Sequence, residues 1–123
     1  MIERTFFALG AALALVGVAL GAFGTHGLRG SLSPADLATF ETGVRYQLIH
    51  ALGLLAVAWA STRWPSGTTH AAGWLMAAGI VIFCGSLYAL VLTGQRWMGA
   101  VTPLGGVCFL LAWGLLAWSA VRG

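Results

Sequence analysis

The chain has 123 residues, 59% of them hydrophobic and only 7% charged, with a formal net charge of +3. Soluble domains carry about 25% charged residues, so this composition excludes a surface that faces water over most of its area and implies an integral membrane protein. No Lys/Arg cluster exists to neutralise several phosphates, which excludes nucleic acid as a partner, and the length allows one domain.

Four apolar stretches are expected to cross the membrane, at about 6–24, 43–61, 72–93 and 100–121. Each is close to the roughly 20 residues that cover about 30 Å of hydrocarbon. Helices satisfy their own backbone hydrogen bonds in lipid. The expected fold is therefore all-α: an antiparallel four-helix bundle in a single transmembrane domain, residues 1–123, with both termini on one side.

The first span follows Arg4 and passes Ala19-Leu20-Gly21, which resembles a signal-peptide cleavage site. Its apolar run is long for a signal peptide, so a retained span is expected. Gly17, Gly21 and Gly24, with Gly10 and Ala14, make one small-residue face. Such faces let helix backbones approach closely; this one suits a contact within the bundle or a seam between copies of the chain.

The first loop carries "SLSPADLATFETG". Ser33 as N-cap, Pro34 at N1 and Asp36 at N3 predict a helix start. A short interfacial helix is expected there, either separate from the second span or merging into it.

The second span opens with "ETGVRYQLIHALGLL". At about 100° per residue, Tyr46 and His50 differ by about 40°, Gln47 lies about 60° from His50, and Arg45 lies about 140° away. Arg45 stands four residues after Glu41, so these two are expected to pair at the interface. Tyr46, Gln47 and His50 are expected to face other helices, because a lipid-facing His at that depth would lack partners.

The connections "STRWPSGTTH" and "TGQRWMG" read as turns. Trp59, Trp64, Trp74, Trp97 and Trp118 fall near span ends, where amphipathic rings suit the headgroup region. Arg4, Arg63 and Arg122 share one side, and Arg29, Arg45 and Arg96 the other. The N-terminal amine alone tips the termini towards the cytoplasm. Gly79, Gly85 and Ser86 in the third span and Gly105-Gly106 in the fourth suggest close packing. Pro103 lies at the start of the last helix, where its missing N–H costs little.

With four crossings, His26, Tyr46, Gln47, His50, Ser86, Tyr88 and Thr102 all fall in one leaflet. They are expected to form one polar pocket that binds a ligand. His50 has two readings. One is a core histidine bonded across helices to Tyr88, Ser86 or a backbone carbonyl; the other is a ligand- or proton-handling group, since intramembrane ionisable residues often mark function. No metal or cofactor is expected: a His26/His50 pair lacks thiolates or carboxylates at ligand spacing. Cys84 and Cys108 read as small buried hydrophobes at similar depth. No catalytic signature is present, and the three acids, Glu3, Asp36 and Glu41, lie near interfaces, which weakens a proton-coupled transporter.

Four blocks carry a family resemblance: Gly21-Ala22-Phe23-Gly24-Thr25-His26; Thr42-Gly43 with Tyr46-Gln47 and His50; Gly85-Ser86-Leu87-Tyr88; and Thr102-Pro103-Leu104-Gly105-Gly106 with Trp113. In this order they resemble the small membrane family known as domain of unknown function 423, the YgdD-like proteins, with transmembrane protein 256 among its eukaryotic relatives. The resemblance covers nearly the whole chain. It departs at Thr25, where Ala is usual, and at Cys84, where Ser is usual, so it implies no cysteine chemistry. It implies a four-helix protein of the bacterial inner membrane and no activity.

The leading functional expectation is a non-enzymatic membrane protein whose one-leaflet polar pocket binds a lipid-like or small amphipathic molecule, or a partner helix. Membrane lipids are the expected partners, with a homo-oligomer or larger membrane complex also compatible. A small transporter or channel component would need polarity through both leaflets. A membrane redox or enzyme subunit would use His26 and His50.

Overall fold

The computed structural model describes residues 1–122, and among these it is all-helical, with no strand. Four helices make up the fold: α1 Ile2–Leu28, α2 Pro34–Arg63, α3 Gly67–Thr93 and α4 Thr102–Arg122. A 3₁₀ turn, Arg96–Ala100, leads into α4. Two π-helical turns interrupt the α geometry, Leu20–Gly24 in α1 and Ile80–Cys84 in α3. Three segments are long and apolar enough to cross a membrane: Ile2–Leu28, Gly67–Thr93 and, counting the 3₁₀ turn, Arg96–Arg122.

α2 is long enough but less apolar, because it carries Arg45, Gln47 and His50. It is also the most enclosed helix. Twelve of its residues are buried, against Phe6, Gly10 and Gly17 alone in the first 18 residues of α1. A helix surrounded by protein can hold polar side chains, provided its neighbours supply partners.

Local chemistry sets the boundaries. Ser33 Oγ accepts the Asp36 N–H at 3.1 Å and Pro34 occupies N1, so α2 starts where the sequence signals it. No break follows: of the two expectations for the short helix, separate from the second span or merging into it, the second holds, and the segment forms the first turns of the 30-residue α2. Pro65 ends α2 by disfavouring helical geometry at Trp64, whose φ is −142°. Ser66 then caps α3, accepting from Thr69 N at 3.1 Å. Gly94, in the left-handed region at φ 73°, closes α3 and needs no Cβ there.

α1 packs along α2, α3 packs along α4, and α2 also lies against α3. The α1 glycines set the first contact. A Cβ on Gly10 would lie 2.8 Å from the Ala51 carbonyl oxygen, one on Gly17 2.7 Å from Leu48 Cδ2, and one on Gly24 2.8 Å from the Phe40 ring. Gly21 is looser, at 3.2 Å from Val44. Gly105 does the same between α4 and α3, resting on the Phe83 backbone, while Gly106 only approaches the Phe83 ring at 4.0 Å. Gly85 departs from the sequence expectation: an added Cβ there meets nothing within 4 Å, because its face of α3 is turned away from both neighbours.

Two apolar clusters fill the interior. The larger joins Phe6, Leu54, Val57, Met76, Ile80, Phe109 and Ala112; the smaller joins Phe40, Val44 and Val91. Tyr88 packs against both.

The expected Glu41–Arg45 pair is not made: both side chains are exposed, and Asp36 instead pairs with Arg96 at 3.2 Å. Attraction between exposed charges four residues apart is worth only about 0.3–0.5 kcal/mol, too little to hold two mobile side chains together.

Candidate functional site

The seven polar residues singled out in the sequence do not share one pocket. They separate into three bonded sets and one outlier.

The first set is a bridge across three helices. Gln47, 3% exposed, donates through Nε2 to the Leu13 carbonyl of α1 at 2.9 Å. Its Oε1 accepts from the Tyr88 hydroxyl of α3 at 2.8 Å. Two glycines make this geometry accessible. Gly17 leaves space for Gln47 and Leu48, and Gly43 leaves space for the Tyr88 ring, which would stand 2.7 Å from a Cβ at that position. A carboxamide in a dry interior costs about 1–3 kcal/mol if left unpaired; here its donor and acceptor both have partners.

The second set is a clasp between α3 and α4. The Ser86 and Thr102 hydroxyls lie 2.6 Å apart. Each also has a carbonyl within reach, Phe83 O at 2.9 Å and Met98 O at 3.3 Å.

The third set surrounds His50, which is 4% exposed. Nδ1 lies 2.7 Å from the Tyr46 carbonyl, in its own helix, rather than bonding Tyr88 or Ser86. A carbonyl only accepts, so Nδ1 carries the hydrogen and Nε2 of the neutral ring keeps its lone pair. The ring stacks on Phe109, centroids 3.5 Å apart, with Trp113 at 5.8 Å. Tyr46 stacks on Phe83 at 4.5 Å. These side chains, with Pro103, Gly106, Val107 and Leu110, line a furrow of about 430 Å³ between α2 and α4. The furrow exists because α2 and α4 both pack on α3 and touch each other only slightly. Its lining is aromatic and aliphatic apart from His50 and the Tyr46 hydroxyl, the usual make-up of a ligand site with a few orienting polar groups.

His26 is the outlier. It is exposed at the end of α1. Gly24 already lies level with Phe40, and His50 stands ten residues further along α2, about 15 Å at 1.5 Å per residue. The structure therefore does not assemble a His26/His50 pair. Among the described residues no three His, Cys, Asp or Glu side chains converge, and Cys84 and Cys108 are unlinked thiols.

Phe83 and Phe109, which line the furrow, had no signal in the sequence: each is one more apolar residue in an apolar span. The π turn Ile80–Cys84 positions Phe83, and such turns are recognised in coordinates rather than in composition.

Fold and site together define a small all-helical membrane protein with membrane-capable helices around a buried polar bridge. The chain belongs to the family described as protein of unknown function (DUF423), whose model matches residues 20–106. It is 48% identical over 120 residues to the UPF0382 membrane protein YwdK of Bacillus subtilis, covering 97% of this chain and 98% of that one. It is 44% identical to the UPF0382 membrane protein SERP0230 of Staphylococcus epidermidis, covering 97% of each. The corresponding protein SSP2132 of Staphylococcus saprophyticus is 46% identical, over 92% of this chain and 93% of its own. No solved structure matches.

Proposed function

We propose that this protein is a four-span bundle of the bacterial inner membrane, with antiparallel helices and both termini on the cytoplasmic side, that binds an amphipathic molecule in the furrow at His50. The first turns of α2, Pro34 to Thr42, lie at the interface in this reading. The bound molecule lays an apolar body along Phe83, Phe109 and Trp113 and presents a hydroxyl or amide N–H to His50 Nε2.

One observation carries the reading: a nearly buried imidazole whose Nδ1 is engaged lines a furrow of about 430 Å³. A histidine needed only for packing is replaceable by phenylalanine. One needed for recognition supplies an acceptor that phenylalanine lacks.

The test is native mass spectrometry of gently extracted protein, wild type against His50→Phe. A co-purified amphipathic molecule held by the wild type and lost in the variant, at unchanged thermal stability, supports the reading. Equal occupancy in both, or none in either, sinks it. Topology is tested separately by cysteine accessibility, with Ile2→Cys and Arg122→Cys each placed in a Cys84→Ser/Cys108→Ser background. Labelling from opposite sides would end the antiparallel arrangement.

A further inference from the structure

A second cleft lies at the other end of α2 and α4, where the loop between α2 and α3 meets the last turn of α4. It has a volume of about 400 Å³ and is lined by Arg63, Trp64, Ser66, Thr68, Ser119 and Arg122 among others. None of the described residues that line it is acidic. Among the described residues neither arginine takes part in an ion pair. The Arg122 guanidinium sits 5.6 Å from the centre of the Trp118 ring, a cation–π contact that restrains it at the rim. Among the described residues the Trp64 indole N–H is buried with no acceptor, and a buried donor left unpaired is unfavourable unless something outside the chain supplies an acceptor.

An apolar groove of about 280 Å³ adjoins this cleft and shares Trp64 with it. Trp59, Trp113 and Leu116 are among its walls. The arginine-lined cleft and the apolar groove thus adjoin at Trp64, near the ends of α2 and α4.

We infer that the cleft binds a phosphate group, and that the adjoining groove receives the acyl chain of the phospholipid bearing it. Two guanidinium forks on different helices offer donors to several oxygens of a tetrahedral anion, more than the two oxygens of a carboxylate can use. Trp64, whose N–H is unpaired, lines both the cleft and the groove. The cleft shares no lining residue with the furrow at His50, while the groove meets that furrow at Trp113; the arginine variants below read the cleft alone.

The test uses full-length protein in mild detergent, offered dioleoyl phosphatidylglycerol, dioleoylglycerol or inorganic phosphate, with bound molecules counted by native mass spectrometry. The wild type is expected to retain phosphatidylglycerol in preference to dioleoylglycerol, which has the same chains and no phosphate. Arg63→Gln/Arg122→Gln is expected to weaken that retention about tenfold or more, since charge-assisted hydrogen bonds are lost. Arg29→Gln/Arg45→Gln removes equal charge elsewhere and is expected to leave it unchanged. Trp64→Phe keeps both charges and is expected to weaken it measurably. Equal retention of the two lipids, or equal loss in the two arginine double variants, overturns the site. Retention of inorganic phosphate without lipid, abolished in Arg63→Gln/Arg122→Gln, sustains the phosphate cleft and overturns the acyl-chain groove.

Discussion

The Tyr88 hydroxyl reaches across α2 to Gln47 only because residue 43 is glycine: the ring passes where a Cβ would stand, 2.7 Å from Cε1. Helix packing and hydrogen bonding are here one constraint. Gly43→Ala is expected to push the ring aside and destabilise the protein by about 1–3 kcal/mol. Thermal unfolding in detergent reads this directly, and an unchanged midpoint would mean that the ring shifts at no cost.

The bond itself is worth less. Interhelical hydrogen bonds in membranes average about 0.6 kcal/mol and reach about 1.7. A double-mutant cycle over Gln47→Leu and Tyr88→Phe should return a coupling in that range. A coupling of zero would show that Gln47 is held by Leu13 alone.

Two glycines that the sequence assigns alike to close helix packing are expected to behave in opposite ways. Gly17→Ala meets Leu48 at 2.7 Å and should destabilise the α1–α2 contact. Gly85→Ala meets nothing within 4 Å and should be neutral or stabilising by up to about 1 kcal/mol, the helix-propensity difference between the two residues. Melting curves of the two variants side by side decide this; a loss at Gly85 matching that at Gly17 would refute it.

The tautomer of His50 is a sharper expectation. Nitrogen-15 spectra of histidine-labelled protein should show a protonated Nδ1 and a bare Nε2 in the neutral ring, because Nδ1 donates to the Tyr46 carbonyl. The reverse tautomer would remove the acceptor on which the proposed ligand contact depends.

The Asp36–Arg96 pair joins the start of α2 to the turn before α4. Arg96 is largely exposed, so Arg96→Gln is expected to cost under about 1 kcal/mol and to cost less still in high salt. A larger, salt-independent loss would mean that the turn relies on this contact.

The sequence made membrane class, helix number and capping legible, because each rests on local signals: apolar run length, the Ser33-Pro34 start, and the turn "STRWPSGTTH" with Pro65 and Gly67. Helical angle set Tyr46, Gln47 and His50 apart from Arg45, and the cost of an unpartnered polar group turned them inward; Gln47 and His50 are buried, while Tyr46 is 36% exposed. Which partner each would take was not legible. Gln47 bonds Leu13 and Tyr88, residues 34 and 41 positions away, and no spacing rule couples them. His26 looked like a member of the polar group because span counting resolves which leaflet a residue occupies and not its depth within it. Arg63, Trp64 and Arg122 were read only for orientation and anchoring, since the cleft they share forms when the ends of two helices meet.

α2 runs unbroken for 30 residues, about 45 Å at 1.5 Å per residue. In the proposed four-span arrangement that exceeds roughly 30 Å of hydrocarbon, and the excess tilts or projects. Asp36, tied to the turn before α4, sits near one end of this rod, Arg63 at the other, and His50 between them. One continuous helix therefore ties the Asp36–Arg96 pair, the furrow at His50 and the cleft at Arg63 into a single rigid frame, with no break between them.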